Sequence, residues 1–239
     1  MIDRPASGTY DDYAEAYAAS VASREQAGED PMGILPVLLA LLGDLAGRRA
    51  LDAGCGEGYL ARVMARRGAH VTGADISPRL IRVARDKDPG GSIDYRVADL
   101  SWPCPDLDGR FDVVGSYLAL NDVADYRGFS TTVARALRSG GRAVLSLNNP
   151  YAYVVRKGLA NYFATATMHL SGLAAAGIHV HFYHRTLPEY LDAFLEAGLH
   201  LTRLVDVDLP SIAAKRAAGE LVTEGEQLPY FVVLAFRKP

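Results

Sequence analysis

The chain has 239 residues, of which 49% are hydrophobic and 22% charged, enough apolar material for one α/β domain and too much for a disordered chain. Lys and Arg number 25 against 28 Asp and Glu, a net charge of −3, which lacks the basic footprint of a nucleic-acid binder. The two cysteines, Cys55 and Cys104, lie far apart and outside any CxxC pair, which argues against a disulfide scaffold and against a cysteine zinc site.

The first residues are acidic at Asp3, Asp11 and Asp12, with no long apolar stretch behind them. The longest apolar run, Ile34 to Leu42, contains Pro36 and is too short to span a bilayer. A cytoplasmic protein without membrane contact is the expectation. Tyr10 to Ala22 reads as a helix, with Tyr10, Tyr13, Ala14 and Tyr17 at i, i+3, i+4, i+7 spacing. A second helix runs from about Met32 to Leu42 and ends near Gly43.

Short apolar strands follow at Arg49–Ala53, His70–Ala74, Ile93–Val97, Phe111–Ser116 and Gly141–Leu147, with helices starting near Tyr59, Pro78, Asn121 and Tyr126. Such alternation predicts a parallel sheet covered on both faces, with a ligand crevice at the carboxyl ends of its strands. Tyr151 to Gly177 reads as helical, without a clear strand, and as an insertion over that crevice. Then come a short segment at Ile178–Tyr183, a helix at Leu187–Ala197 and strands at Leu199–Val207 and Tyr230–Phe236. The last two form an antiparallel pair that closes the sheet. The whole, residues 1–239, is one domain, with N-terminal helices over 1–45 and a cap over 150–185.

The sharpest signal is Leu51-Asp52-Ala53-Gly54-Cys55-Gly56-Glu57-Gly58-Tyr59, where a strand ends, three glycines alternate and a helix opens. Without a Cβ the backbone can turn sharply and let a ligand approach. A dinucleotide site prefers G-x-G-x-x-G, with a diphosphate on the helix amino end. Here the spacing is G-x-G-x-G behind an acid. Asp52 would repel a diphosphate and suit the ammonium of an amino-acid ligand, which favours S-adenosylmethionine (SAM) over NAD.

The next strand ends at Asp75, where a carboxylate can accept both ribose hydroxyls, as it also does in NAD sites. The strand after it leads to Asp99, placed to accept from the adenine amino group, with Ile76 and Leu100 on the two ring faces. Each acid alone could equally be a strand-end residue or a helix cap. Three in succession, around the glycine loop, converge on one crevice.

These segments resemble the class I SAM-dependent methyltransferases of the methyltransferase-11 (UbiE-like) type. The resemblance rests on Tyr10-Asp11-x-x-Ala14-x-x-Tyr17, Leu51–Gly58, Ala74-Asp75-Ile76-Ser77, Ala98-Asp99-Leu100, Phe111-Asp112-Val113-Val114 and Leu137-Arg138-Ser139-Gly140-Gly141. It implies a Rossmann-like, doubly wound sheet of seven strands, mostly parallel with the last antiparallel, plus a small helical cap. It also implies that the turn residues Gly54, Cys55 and Gly56 line the methionine portion of SAM, with Ser116 and Tyr117 beside its tail. Tyr17 would reach its carboxylate; a tyrosine stripe on a helix packs against the core as readily. Asn161-Tyr162-Phe163, Tyr183-His184-Arg185-Thr186-Leu187 and Leu228-Pro229-Tyr230-Phe231 resemble a subset of the same family. A departure is Asn148-Asn149-Pro150, where a histidine is expected before the proline.

Methyl transfer is an in-line displacement that needs alignment and exclusion of water, and a base only where the acceptor loses a proton. Candidates for that work are His184 and His181, within a late cluster that also holds His169 and His179, while Asn121 and Asp122, in the loop after the fourth strand, could orient an acceptor. Anchoring is the competing role for His184, and capping of the following helix for Asn121 and Asp122. His179 and His181 would share one face of an extended segment and could hold a metal, but no nearby acid or third ligand at a recognisable spacing supports such a site. The implied product is S-adenosylhomocysteine (SAH), and the implied partner a small-molecule methyl acceptor, such as a secondary metabolite. The aromatic insertion suits a flat acceptor, packing of the cap or a homodimer contact. Two other readings keep the fold: a SAM-binding enzyme of non-methyl chemistry, and a non-catalytic partner subunit.

Overall fold

The computed structural model describes residues 9–26, 30, 32–157, 161–163, 166–170, 180–223 and 226–239. A short 3-10 turn at Thr9–Asp11 precedes helices α1 (Ala14–Gln26) and α2 (Ile34–Leu42). Strands β1 (Arg49–Ala53), β2 (His70–Asp75), β3 (Asp94–Val97), β4 (Phe111–Tyr117) and β5 (Leu137–Asn148) alternate with helices α3 (Tyr59–Arg66), α4 (Pro78–Asp86) and α5 (Tyr126–Ala136). Then follow α6 (Pro150–Lys157), β6 (Ala166–Leu170), β7 (Val180–His184), α7 (Leu187–Glu196), β8 (His200–Val207), α8 (Pro210–Ala217) and β9 (Phe231–Arg237).

Seven strands form one sheet in the order β3-β2-β1-β4-β5-β9-β8. The ladders joining β3, β2, β1, β4 and β5 are parallel, and β9 runs antiparallel to both β5 and β8. The last strand alone is therefore reversed. The order turns around between β1 and β4, so the loops after these two strands open onto one crevice.

Strand periodicity builds the two core layers. Leu51, Ala53, Val114, Leu145, Leu147, Val232 and Leu234 face Phe129 and Val133 of α5 and Tyr190 and Phe194 of α7. Their neighbours Ala50, Val113, Val144, Val233 and Ala235 face Leu38 of α2, Leu60 and Met64 of α3 and Ile81 of α4. Strands covered on both sides need apolar residues throughout, which explains the near-continuous runs in β1, β4 and β5.

Several expected elements are different. The N-terminal helix starts at Ala14, because Asp11 is tied elsewhere: its Oδ1 accepts from the Ser77 hydroxyl (2.6 Å) and the Arg79 amide (2.9 Å) at the start of α4. The helix expected near Asn121 is only a 3-10 turn, Leu120–Asp122, and Asp125 caps α5 by accepting from the Gly128 amide. The stretch read as helical from Tyr151 contains β6, which pairs antiparallel with β7 from Ala166↔His184 to Leu170↔Val180. A strand here is imposed by pairing with a distant segment, which overrides local propensity. The short helix α8 was not expected. Residues 171–179, including His179, lie outside the described residues, as do the side chains of His169 and His181.

Candidate functional site

The turn after β1 is held by the neighbouring strand: the amides of Gly54 and Cys55 both donate to the Ala74 carbonyl, at 2.9 and 3.0 Å. Gly54 has φ +72°, and a Cβ there would lie 2.5 Å from the Cβ of Ala119, in the loop after β4. The requirement for glycine at 54 comes from the close approach of these two loops. At Gly56, φ +53°, the space is open, the nearest atom to a Cβ being Tyr17 Cε1 at 3.9 Å. The turn thus presents a bare backbone face under helix α1.

A cleft enclosing about 690 Å³, its mouth included, lies over that face. Asp52, Gly54, Cys55, Gly56, Glu57, Tyr59 and Leu60 form its floor, Tyr17 and Val21 of α1 and Asp30 and Met32 its rim, and Tyr117 and Leu118 its far wall. Asp52 is 1% exposed, and among the described residues neither carboxylate oxygen has a hydrogen-bond partner. Burial pushes its carboxyl up to about 8; the nearby Ala61 amide dipole, without forming a hydrogen bond, and the Arg62 charge oppose this, and Asp75 and Glu57 add to it. A buried carboxyl with no donor is an open demand for a cation or a proton.

Asp75 stands at the crevice end of β2, half-buried. Its Oδ2 accepts from the Gly56 amide (2.8 Å) and its Oδ1 from the Ser77 amide (2.9 Å). Burial raises its pKa, and these two amides pull it back down. One lone pair on each oxygen remains for a ligand. Asp99 accepts from the Ser101 amide at 2.9 Å, beside the half-buried Ala98 and the buried Leu100.

The structure brings Tyr17, Asp52, Gly54, Cys55, Gly56 and Tyr117 together around the cleft, and sets Asp75, Ile76, Asp99 and Leu100 at the ends of β2 and β3. Ser116 stands apart: its buried hydroxyl donates to the Ala53 carbonyl (2.7 Å), inside the sheet. The Tyr117 hydroxyl donates to Asp30 Oδ1 (3.0 Å), and Asp30 also anchors α2 by accepting from the Met32 and Leu35 amides. Asp30, Met32 and Leu118 escaped the sequence reading. A carboxylate shortly before an apolar helix is a capping signal, but nothing local tells that the cap also faces a cleft.

The candidates for proton work are differently placed. His184 is 1% exposed, and its Nε2 meets the Tyr162 carbonyl at 2.9 Å. Asn121 is 2% exposed; it donates to the Tyr190 hydroxyl (3.1 Å) and accepts from the Asn148 amide (2.8 Å). His181 sits opposite His169 in the β6–β7 ladder, its side chain outside the described residues. Next to Asn121, Asp122 turns the other way and accepts from the Tyr10 hydroxyl at 3.2 Å.

Comparisons with known proteins match this architecture. A family model described as a methyltransferase domain matches residues 51–145. The ubiquinone biosynthesis O-methyltransferase of Xanthomonas oryzae is 36% identical over 172 residues, 67% of this chain and 72% of that one. The demethylmenaquinone methyltransferase of Tropheryma whipplei is 38% identical over 116 residues, 48% of each chain. A SAM-dependent methyltransferase from Mesorhizobium loti superimposes with a TM-score of 0.69 at 29% identity, covering 85% of this chain and 96% of that one. Among the described residues no helix is long and apolar enough to cross a membrane. The chain belongs to this methyltransferase-domain family and is a SAM-dependent methyltransferase.

Proposed function

We propose that the enzyme transfers the methyl group of SAM to a hydroxyl of a small aromatic acceptor, a secondary metabolite or quinone precursor. The observation that carries the cofactor pose is the unpartnered Asp52 carboxyl on the cleft floor. The residues fit SAM: Asp52 takes the ammonium, and the open face at Gly54, Cys55 and Gly56 takes the methionine chain. Asp75, held by two amides, accepts the ribose hydroxyls. Asp99 accepts from the adenine, flanked by Ile76 and Leu100. Tyr17 and Tyr117 flank the methionine end, while Ser116 supports the wall from within the sheet.

When bound, SAM supplies a methyl on a sulfonium, ready for in-line displacement. The chain holds both reactants in line and keeps water out. Residues 150–185 act as the cap. There Tyr151 and Tyr162 stack at 4.7 Å and Phe163, 80% exposed, sets its ring edge-on against Tyr162, which supports a flat acceptor. The name of the Xanthomonas relative supports oxygen as the methylated atom. Cys55 and Cys104 are both free thiols, which supports a reducing, cytoplasmic setting.

Calorimetry tests the reading. SAM and SAH should bind the wild type, NADH should not, and Asp52→Asn should weaken SAM by roughly 30-fold or more, the cost of removing one partner of a buried charge pair. Supplied with catechol or hydroquinone, the wild type should release SAH. Binding of NADH in place of SAM would overturn the cofactor pose, and an Asp52→Asn protein that binds SAM normally would remove Asp52 from it.

A further inference from the structure

We infer that Asp122, held by the Tyr10 hydroxyl, is the proton acceptor for the methylated hydroxyl. This rests on the reading of an oxygen acceptor given above. Asp122 closes the 3-10 turn after β4, at the carboxyl edge of the sheet where the crevice opens. Its partner lies 112 residues away in the N-terminal turn, and that turn is itself pinned to the start of α4 through Asp11. Strand β7 packs over both turns. The pair therefore sits between the sheet edge that carries Asp75 and the roof that carries the aromatic cap.

The other polar groups of this edge are occupied. Asn121 bridges Tyr190 and the Asn148 amide. His184 is bonded to the Tyr162 carbonyl. Asn149 holds the Tyr151 amide and Asp206, so the position where relatives led us to expect a histidine is structural here. Asp122 differs. Its Oδ2 accepts one hydrogen bond from a neutral phenol, and among the described residues its Oδ1 accepts none and no cation pairs with it.

The charged and titratable neighbours are few. From the N-terminal turn comes Tyr10, from β2 Asp75, and from α7 Tyr190, whose hydroxyl points to Asn121 and the Tyr183 carbonyl. The β5 side offers the neutral Asn148. At the end of β7 stand His184, bonded to Tyr162, and Arg185, whose guanidinium donates to the Ala124 carbonyl. Burial and the Asp75 charge both hold Asp122 above the usual carboxylate range, at about 8, with the Tyr10 hydrogen bond pulling it down. The same burial and the Asp122 charge hold the Tyr10 phenol well up, so it stays protonated and donates. A base of that strength matches a phenolic hydroxyl near neutral pH.

The step balances. The acceptor O–H bond breaks and its proton goes to an Asp122 oxygen. The acceptor oxygen's electron pair forms the new C–O bond as the methyl–sulfur bond breaks, its pair remaining on sulfur. The products are a methyl ether, SAH and a protonated Asp122, which returns its proton to water.

The test compares wild type, Asp122→Asn, Asp122→Glu and Tyr10→Phe, with catechol and hydroquinone as acceptors and saturating SAM, a condition that keeps Asp52 out of the pH profile. SAH affinity, by calorimetry, reports folding and the cofactor site. Asp122→Asn should keep SAH affinity within about threefold and lose at least about 100-fold in kcat, the usual scale for a general base. The wild-type kcat should rise with pH through one ionisation. That limb should vanish in Asp122→Asn, return in Asp122→Glu with partial activity, and move to higher pH in Tyr10→Phe. An Asp122→Asn enzyme with normal SAH affinity, kcat and pH limb would overturn the inference alone. A wild type that binds SAH and methylates neither phenol would overturn the acceptor reading, and this inference with it.

Discussion

The floor of the site and the segment proposed as its roof are built from different materials. The crevice edge of the sheet is acidic: Asp52 on the cleft floor, Asp75 at the end of β2 and Asp122 in the turn after β4 are all held above the usual carboxylate range by burial. The proposed roof is aromatic. Tyr151 stacks on Tyr162, His184 rests edge-on against Tyr162, and Arg185 lies over Tyr126 and Tyr183 at 4.3 and 4.9 Å. Desolvated carboxylates favour a cationic ligand, and stacked rings favour a flat neutral one. The contrast matches a reaction between a sulfonium donor and an aromatic acceptor.

The largest expected effect lies at the floor. Gly54→Ala adds a methyl 2.5 Å from Ala119 at φ +72°. Left-handed strain and overpacking together should cost about 3 kcal/mol and separate the loops after β1 and β4. Urea denaturation should show the lower midpoint, and calorimetry the loss of SAM binding. Unchanged stability and affinity would mean that the two loops do not define the cleft.

Asp52 gives the floor a pH signature. Its folded carboxyl is at about 8, against the ordinary 3.8. Below the ordinary value both folded and unfolded chains hold the proton. Between the two values the unfolded chain has released it and the folded chain has not, so stability falls as pH rises through this window and levels off above it. Asp52→Asn should lack this slope, measured as urea midpoints at pH 5 and pH 8. Because the ammonium of SAM favours the carboxylate, SAM binding at pH 7 should also release a proton, read from the dependence of the binding enthalpy on buffer ionisation. Binding with no proton change would mean that Asp52 is already ionised in the free protein.

Much of the floor was legible in the sequence. Strand ends follow from short apolar runs, and topology gathers the residues after them, so Asp52, Asp75 and Asp99 could be placed together. What local pattern could not give was the partner of each group. Asn121 and Asp122 are adjacent, yet one faces Tyr190 and the other Tyr10, 112 residues away. Asp30 reads as a helix anchor, and its bond to Tyr117 spans 87 residues. The roof was the least legible. Its strand β6 exists through pairing with β7, and Ala166-Thr167-Met168-His169-Leu170 carries little strand signal alone.

Arg185 probes the roof at intermediate size. It is buried, donates to the Ala124 carbonyl (2.6 Å), and among the described residues has one terminal nitrogen without a hydrogen-bond partner. Cation–ring attraction and one charged hydrogen bond should together contribute about 2 kcal/mol. Arg185→Met should lose that amount in urea denaturation while SAM affinity stays unchanged. Arg185→Lys should recover little, since an ammonium cannot lie flat on the rings. A parallel loss of SAM affinity would join roof and floor into one unit.

The smallest effect is expected from Tyr162→Phe, and it separates packing from polarity within the roof. The Tyr162 hydroxyl accepts from the Leu187 amide at 3.0 Å, one of the otherwise open donors at the start of α7. Burial pushes this phenol up to about 12, so it meets that amide as a neutral group. Phenylalanine keeps the ring stacked on Tyr151 and removes the hydroxyl that meets the Leu187 amide and the Tyr151 side chain, for about 1 kcal/mol, because water can reach the half-buried site. If the stacked ring is what receives a flat acceptor, the acceptor KM should stay within about twofold in Tyr162→Phe and rise severalfold in Tyr162→Ala, with SAM affinity constant in both. Equal KM values in the two variants would leave the ring with a packing role only, and the acceptor would have to be held by the edge that carries Asp122.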